Sequence, residues 1–234
     1  MDYNTSTISI ERKKSAQLSV FKKVYIWMSL ALCITGLTAL IIANNNDIMY
    51  SLMQDEAVFW IIMIAEIALV MVIASRIGKM SLTTATILFI LYSILNGVSM
   101  SLIFIIYTET SIAATFFVTA GTFAAISLYG YITKKDLSSW GSILIMGLIG
   151  IVIASVVNMF MASETLYWII SYAGVLVFVG LTAYDTQQIK KALLDPNLEV
   201  DENLNKLALF GALKLYLDFI NLFLHLLRMI GGRD

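Results

Sequence analysis

The last apolar stretch of the chain, Leu207 to Leu227, carries an aspartate, Asp218, near its centre. The polar residues around it recur at steps of three and four, which places them on one narrow stripe of a helix. A carboxylate in the middle of a membrane-spanning helix costs on the order of 3 kcal/mol. We therefore expect this stripe to face protein or water inside a helical bundle. Its members are Gly211, Lys214, Asp218, Asn221, His225 and Arg228.

The composition places the rest of the chain in a membrane as well. Of its 234 residues, 59% are hydrophobic and only 13% are charged, whereas a soluble domain has about 45–50% apolar and about 25% charged residues. The pattern is helical rather than alternating, which excludes an outer-membrane barrel. A single cysteine, Cys33, and a single histidine exclude a disulfide framework and a cysteine- or histidine-rich metal cluster. We expect no cofactor and no nucleic-acid partner.

Seven apolar segments are long enough to cross a hydrocarbon core, which takes about 20 residues each. The predicted fold is an all-α integral membrane protein. A basic N-terminal tail over residues 1–23 precedes a single seven-helix transmembrane domain over residues 24–230. The predicted spans are Val24–Ala43, Ala57–Ser75, Leu82–Tyr107, Ser111–Tyr131, Trp140–Met161, Leu166–Tyr184 and Leu207–Leu227.

Lysine and arginine predict the orientation. The N-terminal tail and the loops that follow the second, fourth and sixth spans are basic, and the alternate loops contain acidic residues but neither lysine nor arginine. Because basic loops stay on the cytoplasmic side, the N-terminus is expected in the cytoplasm and the C-terminus, Arg233 and Asp234, outside. The longest inner loop, Lys190 to Lys206, is interpreted as a solvated connector.

Three ionisable residues outside the last span are candidates for function. Glu66 lies at the middle of the second span, Arg76 at its inner end, and Asp185 at the cytoplasmic end of the sixth. An intramembrane carboxylate is a functional candidate by default, although Glu66 has the alternative of being protonated and hydrogen-bonded. The alternative for Arg76 is a positive-inside anchor that reaches the headgroups.

The stripe of the last span supplies further candidates. Lys214 has the alternative of an ordinary pair with Asp218 four residues later, and His225 that of a hydrogen-bonded interfacial residue. Glu66, Lys214, Asn221 and His225 are therefore secondary candidates. Asn96 and Asn158 are interpreted as residues that form hydrogen bonds between helices.

If the sixth and seventh helices are neighbours, Asp185 and Asp218 face each other in the cytoplasmic half. Two carboxylates in a low-dielectric site cannot both ionise cheaply, so the pair is expected to share a proton and to respond to pH. When both are deprotonated, they offer the hard oxygen ligands that suit Ca²⁺. A nearby Arg76 would compete with the proton or the ion for Asp185.

At these residues the chain resembles the bacterial branch of the Bax inhibitor (TMBIM) family. The resemblance is carried by the stretch from Leu181 to Gln187, by the stretch from Leu215 to Phe223, and by Ser75–Met80 and Leu91–Gly97. It implies six helices packed around a central seventh, and a pH-sensitive calcium leak. It also implies a di-aspartate sensor at Asp185 and Asp218, for which Arg76 is the candidate latch.

Other functions compete with this interpretation. An intramembrane aspartyl protease would fit Tyr184 and Asp185, but the residues before Asp218 are not glycine-rich and the only proline, Pro196, lies in a loop. A retinal protein is disfavoured because the third span has no acidic counterion for Lys214. A regulator of another membrane protein and a cation/proton exchanger remain alternatives.

We therefore predict a non-enzymatic inner-membrane protein that passes Ca²⁺ toward the cytoplasm. Protonation of the aspartate pair, together with Arg76, is expected to gate a monomeric pore. The expected partners are Ca²⁺, protons and the lipid bilayer, with a membrane-protein partner in the regulator alternative.

Overall fold

The structure is a computed structural model that describes residues 2–54, 56–193 and 202–232. Its secondary structure is helical, and no β-strand occurs within the described residues. This confirms the all-α prediction. In chain order the helices are α1 (Asp2–Ala43), α2 (Asn46–Gln54), α3 (Glu56–Arg76), α4 (Leu82–Ser101), α5 (Ile103–Ile106), α6 (Glu109–Ile132), α7 (Ser138–Met161), α8 (Glu164–Leu193) and α9 (Glu202–Ile230).

Six helical segments among the described residues are long and apolar enough to cross a membrane. They are Leu18–Ala43, Leu82–Ile106, Glu109–Ile132, Ser138–Met161, Glu164–Leu193 and Glu202–Ile230. The chain is therefore an integral membrane protein. The predicted second span coincides with α3, a helix of 21 residues that is not among these six. The count of seven spans stays a prediction.

The third predicted span, Leu82–Tyr107, is interrupted near its C-terminal end. The helix α4 ends at Ser101, and the short helix α5 follows. The hydroxyl of Ser101 donates to the carbonyl of Val98 at 2.6 Å, and the backbone N–H of Leu102 donates to the carbonyl of Ser99 at 3.3 Å. Serine hydroxyls that bond to nearby carbonyls compete with the helical ladder, which explains why the helix stops inside an apolar stretch.

Two helices extend beyond the predicted apolar segments. The helix α1 begins at Asp2, within the predicted tail, and α8 continues nine residues past Tyr184 to Leu193. Hydropathy marks the part of a helix that fits in lipid, and it does not detect where more polar residues continue the same helix. Of the predicted connector Lys190–Lys206, residues 194–201 lie outside the described residues, as do Arg233 and Asp234.

The chain forms two compact units. The first comprises Met1–Ile105 and Ile189–Tyr216, and the second comprises Ile106–Gln188 and Leu217–Asp234. In the first unit α1 and α3 both pack on α4. Gly97 of α4 permits the close approach of α1, because a Cβ there would lie 2.7 Å from the carbonyl oxygen of Thr35.

The second unit has a core between α7, α8 and the second half of α9. Leu144 of α7, Phe178 and Leu181 of α8, and Leu222 of α9 form one buried cluster. The turn between α7 and α8 places Ala162 at a φ of 47°, a left-handed conformation that is uncommon for alanine. There Asn158 accepts from the backbone N–H of Ser163 at 3.0 Å. Asn158 thus caps this turn with its side-chain oxygen, and its predicted role between helices stays a prediction.

Candidate functional site

Asp185 lies inside α8 and not at its end, because the helix continues to Leu193. Its side chain is buried, with 7% of its surface exposed. Gln187, two residues later, binds the loop between α6 and α7. The carbonyl oxygen of the Gln187 side chain accepts from the backbone N–H of Leu137 at 2.9 Å, and its amide donates to the carbonyl of Lys135 at 2.8 Å. These two bonds fix the turn of α8 that carries Asp185.

Glycines bring two neighbouring helices close to the same segment. Gly130 of α6 lies against the main chain of Ala183, and Gly141 of α7 lies against the ring of Tyr184. A hydrogen bond of 3.4 Å joins the hydroxyls of Thr186 and Ser127. Small residues at helix contacts allow backbones to approach in a membrane, so α6 and α7 enclose this part of α8.

Asp218 is also buried, with 4% of its surface exposed. The next residue, Phe219, makes edge-to-face contacts with Phe116 and Phe123 of α6, each with a centroid distance of 5.5 Å. Because so little of the Asp218 side chain is exposed, this carboxylate lies inside the protein and not on its outer surface. The expectation that the stripe of α9 is enclosed is therefore confirmed for Asp218.

A ring contact defines how α8 and α9 meet. The imidazole of His225 stacks on Phe178 with a centroid distance of 5.7 Å, and it lies against Gly174, where a Cβ would overlap the imidazole ring. Asp185 lies seven residues after Phe178, and Asp218 lies seven residues before His225. Seven residues are about two helical turns, so each aspartate occupies the same helix face as its aromatic neighbour.

The other members of the stripe have separate environments. The amide of Asn221 donates to the carbonyl of Leu217 on its own helix at 2.8 Å. His225 is 6% exposed, and its Nδ1 atom is buried with no hydrogen-bond partner among the described residues. The guanidinium of Arg228 lies 5.6 Å from the centroid of Tyr167, and the ammonium of Lys214 lies 5.8 Å from that of Phe210.

The two ionisable residues of α3 belong to the first unit. Glu66 is half-buried and accepts a hydrogen bond of 2.5 Å from the hydroxyl of Ser99. Arg76 is exposed at the end of α3. It lines a groove of about 530 Å³ together with Val72, Lys79, Met80, Thr84 and Leu88. An exposed guanidinium is what the anchor alternative predicts for Arg76.

The structure thus distributes the predicted residues over the two units. Asp185, Asp218, Asn221 and His225 belong to the second unit, and Glu66, Arg76 and Lys214 belong to the first. Within the described residues, no group of three or more His, Cys, Asp or Glu side chains is arranged to hold a metal ion.

Several structurally important residues were not predicted from the sequence. Tyr216 is fully buried and bonds to Asn96 at 3.1 Å, which confirms the role of Asn96 between helices. Gly174, Phe178 and Gln187 were also missed. The hydroxyl of Tyr216 in the middle of an apolar helix could have indicated a buried hydrogen bond. Gly174 and Phe178 give no such indication, because glycine and phenylalanine are ordinary residues in a membrane span.

Comparisons with known proteins agree over the whole chain. A family model described as "Inhibitor of apoptosis-promoting Bax1" matches residues 17–234. Inner membrane protein YbhL of Escherichia coli strain K12 is 48% identical over 233 residues, which cover 100% of both chains. A protein of Borreliella burgdorferi is 48% identical over 212 residues, 90% of each chain. Protein RP147 of Rickettsia prowazekii is 43% identical over 237 residues, 100% of this chain and 99% of the relative.

Proposed function

Because the chain belongs to the Bax inhibitor family, we propose that it is a calcium leak channel of the bacterial inner membrane whose conductance depends on pH. The observation that carries this proposal is the burial of Asp185 on α8 and of Asp218 on α9. The location rests on the apolar helices and on the likeness to a relative named as an inner membrane protein.

The pairing of the two aspartates is supported by helix geometry. The helices α8 and α9 are in contact at Phe178 and His225. From that contact, Asp185 and Asp218 each lie two turns, or about 10 Å, further along. A second contact, between Ile189 and Gly211, lies beyond the aspartates on both helices. A pair of helices that touches at both positions brings its intervening faces together.

Two buried carboxylates that face each other can respond to a change in pH. In a low-dielectric site the two are expected to share one proton, and they separate or bind a cation when that proton leaves. Two ionised carboxylates offer oxygen ligands to a passing Ca²⁺ ion. The proposed function is therefore a passive leak toward the cytoplasm and not an enzymatic reaction.

The finer architecture is part of the same proposal. We infer seven spans, with α3 as the second and α9 as the central helix, the N-terminus in the cytoplasm and a monomeric pore. Support for the central position comes from burial. In the most apolar window of α9, 67% of the residues are buried, compared with 11–39% in the other five spans.

The test is Ca²⁺ flux into liposomes that contain the purified full-length protein, measured from about pH 6 to about pH 8, a range centred on neutrality. The variants are Asp185→Asn and Asp218→Asn, which keep the shape of the side chain and remove its charge. Asp47→Asn, at an exposed position on α2, is the matched control.

We expect a flux that varies with pH in the wild type and in Asp47→Asn, and a flux without that variation in the two pair variants. An absent flux in the wild type, or a pH response that survives both pair substitutions, contradicts the proposal.

A further inference from the structure

The groove between the end of α3 and the start of α4, which we call the α3–α4 groove, has a polar end and an apolar end. The two helices pack on each other and are joined by the turn over residues 77–81. On α3, Arg76 lines the groove next to this turn, and Val72 lines it one helical turn further away. On α4, Thr84 and Leu88 repeat this arrangement. Each helix therefore contributes a polar side chain near the turn and an apolar one beyond it.

Two cations lie at the polar end of the groove. Arg76 is the last residue of α3, and its carbonyl accepts from the backbone N–H of Lys79 at 2.9 Å and from that of Met80 at 3.1 Å. This tight turn holds Lys79 close to Arg76. Both side chains are exposed, and neither forms an ion pair within the described residues. The polar end thus carries two positive charges that no described carboxylate neutralises.

The start of α4 already has an acidic partner from the protein itself. Oε1 of Glu202 on α9 accepts from the backbone N–H of Leu82 at 3.0 Å. The same oxygen forms an ion pair of 3.2 Å with Lys206. The attraction of the groove for a further anion therefore comes from the side chains of Arg76 and Lys79, and not from the N-terminus of the helix.

The apolar end of the groove lies on the surface of a membrane span. The segment Leu82–Ile106 is long and apolar enough to cross a membrane. Leu88 lies six residues into this segment, or about 9 Å along the helix. On α3, Val72 is 42% exposed and the neighbouring Met71 is 65% exposed. We therefore expect the headgroup level of the bilayer at the polar end of the groove, and the acyl chains at Val72 and Leu88.

We propose that the α3–α4 groove binds an anionic phospholipid. The phosphate lies between Arg76 and Lys79, and the first part of an acyl chain lies on Val72 and Leu88. The guanidinium of arginine matches two phosphate oxygens at once, and the ammonium of lysine adds a point charge. The volume of the groove, about 530 Å³, is within the range of about 300–1,000 Å³ that is typical of ligand sites.

Charge and apolar surface together select this class of lipid. A zwitterionic headgroup brings an ammonium group of its own toward two cations, which cancels much of the attraction. A free phosphate or a water-soluble phosphate ester has the required charge but leaves Val72 and Leu88 uncovered, so it gains nothing from the burial of apolar surface. An anionic phospholipid supplies the phosphate and the hydrocarbon in one molecule, in the order in which the groove presents their partners.

The lipid site does not depend on the proposed calcium leak. The residues of the groove all belong to the first unit, whereas Asp185 and Asp218 belong to the second. Binding of a lipid requires neither Ca²⁺ nor a flux. The site also gives a defined ligand to the anchor alternative for Arg76, in which its side chain reaches the headgroups.

The experiment is a titration of the purified full-length protein in detergent with phosphatidylglycerol. Native mass spectrometry counts the lipid molecules that each protein molecule retains. One variant combines Arg76→Gln with Lys79→Gln. The matched control combines Lys134→Gln with Lys135→Gln, two exposed lysines in the loop between α6 and α7.

We expect the first double variant to weaken phosphatidylglycerol binding by about thirtyfold, because each cation close to an anionic lipid contributes about a factor of five. The control variant should bind as the wild type does. All four substituted side chains are exposed, so neither variant removes a contact of the core.

A third variant, Val72→Trp, tests the apolar end. Val72 is exposed, so the larger ring can be accommodated at the surface, where it fills the groove while both cations remain. We expect this variant to lose phosphatidylglycerol. Parallel titrations of the wild type use phosphatidylcholine and water-soluble glycerol phosphate. We expect the protein to retain neither at the concentration that saturates it with phosphatidylglycerol.

Equal weakening in the two double variants would overturn the proposal, because it would show a general attraction of lipid to basic loops. Phosphatidylcholine retained as strongly as phosphatidylglycerol would also overturn it. Glycerol phosphate retained as strongly as the lipid, or unchanged binding in Val72→Trp, would show a phosphate site and not a lipid site. The comparison of the three ligands uses the wild-type protein, so it decides the question even if a variant fails to fold.

Discussion

Gly130 of α6 packs against the main chain of Ala183 of α8, two residues before Asp185. A Cβ at Gly130 would overlap the carbonyl oxygen of Ala183 and would lie 3.0 Å from its Cα. Main-chain atoms cannot turn away as a flexible side chain can. The position of α8 near Asp185 therefore depends on the absence of a side chain at Gly130.

Gly130→Ala is expected to destabilise the protein by about 1–3 kcal/mol, the usual cost of overpacking. Gly121 is on the same helix, and a Cβ there would meet nothing within 4 Å. Gly121→Ala is therefore expected to be neutral or to stabilise by up to about 1 kcal/mol, because alanine favours a helix more than glycine does. Thermal unfolding of both variants in detergent measures the difference. Equal unfolding midpoints would show that α6 and α8 are not in tight contact.

The number of membrane spans determines on which side of the membrane the C-terminus lies. Seven spans separate the two termini, whereas six spans place both on the same side. Because the tail before the first span is basic, its end is expected in the cytoplasm. Reporters that work only inside or only outside the inner membrane, fused to either end of the full-length chain, measure this. We expect a cytoplasmic signal from the N-terminal fusion and an external signal from the C-terminal one. Two cytoplasmic signals would remove α3 from the spans.

Variants of Arg76 and Lys79 can distinguish the two roles considered for Arg76, a latch on the aspartate pair and an anchor that reaches the headgroups. Both are exposed cations that line the same groove. If Arg76 acts on the aspartate pair, Arg76→Gln is expected to move the midpoint of the pH–flux curve upward by about one pH unit or more. The reason is that a carboxylate which loses a nearby cation holds its proton more tightly. Lys79→Gln should leave the midpoint in place. Parallel shifts in both variants, or in neither, would identify Arg76 as an anchor.

Part of the fold and of the site follows from local sequence. The membrane location and the helical spans follow from the apolar segments, since the cost of exposing a backbone to lipid depends on the segment itself. The burial of Asp218 follows from its place in an apolar helix. For the same reason the sequence identified Asp185, but it placed the end of α8 nine residues early, because hydropathy does not detect the more polar residues that continue the helix to Leu193.

Contacts between distant residues were decided by the tertiary structure alone. Thr35 and Tyr216 are 181 positions apart, and neither has a sequence pattern that names the other as its partner. The same holds for Gly130 with Ala183 and for Phe178 with His225. The hydroxyl of Ser101 lies where α4 ends inside an apolar stretch, for which the sequence predicts an unbroken span. The sequence by itself determined which segments enter the membrane and which charged residues must be enclosed by protein. The reason is that the free-energy cost of placing a segment or a charge in lipid depends on that segment alone. The tertiary structure decided what encloses them, because packing depends on residues that only the fold brings together.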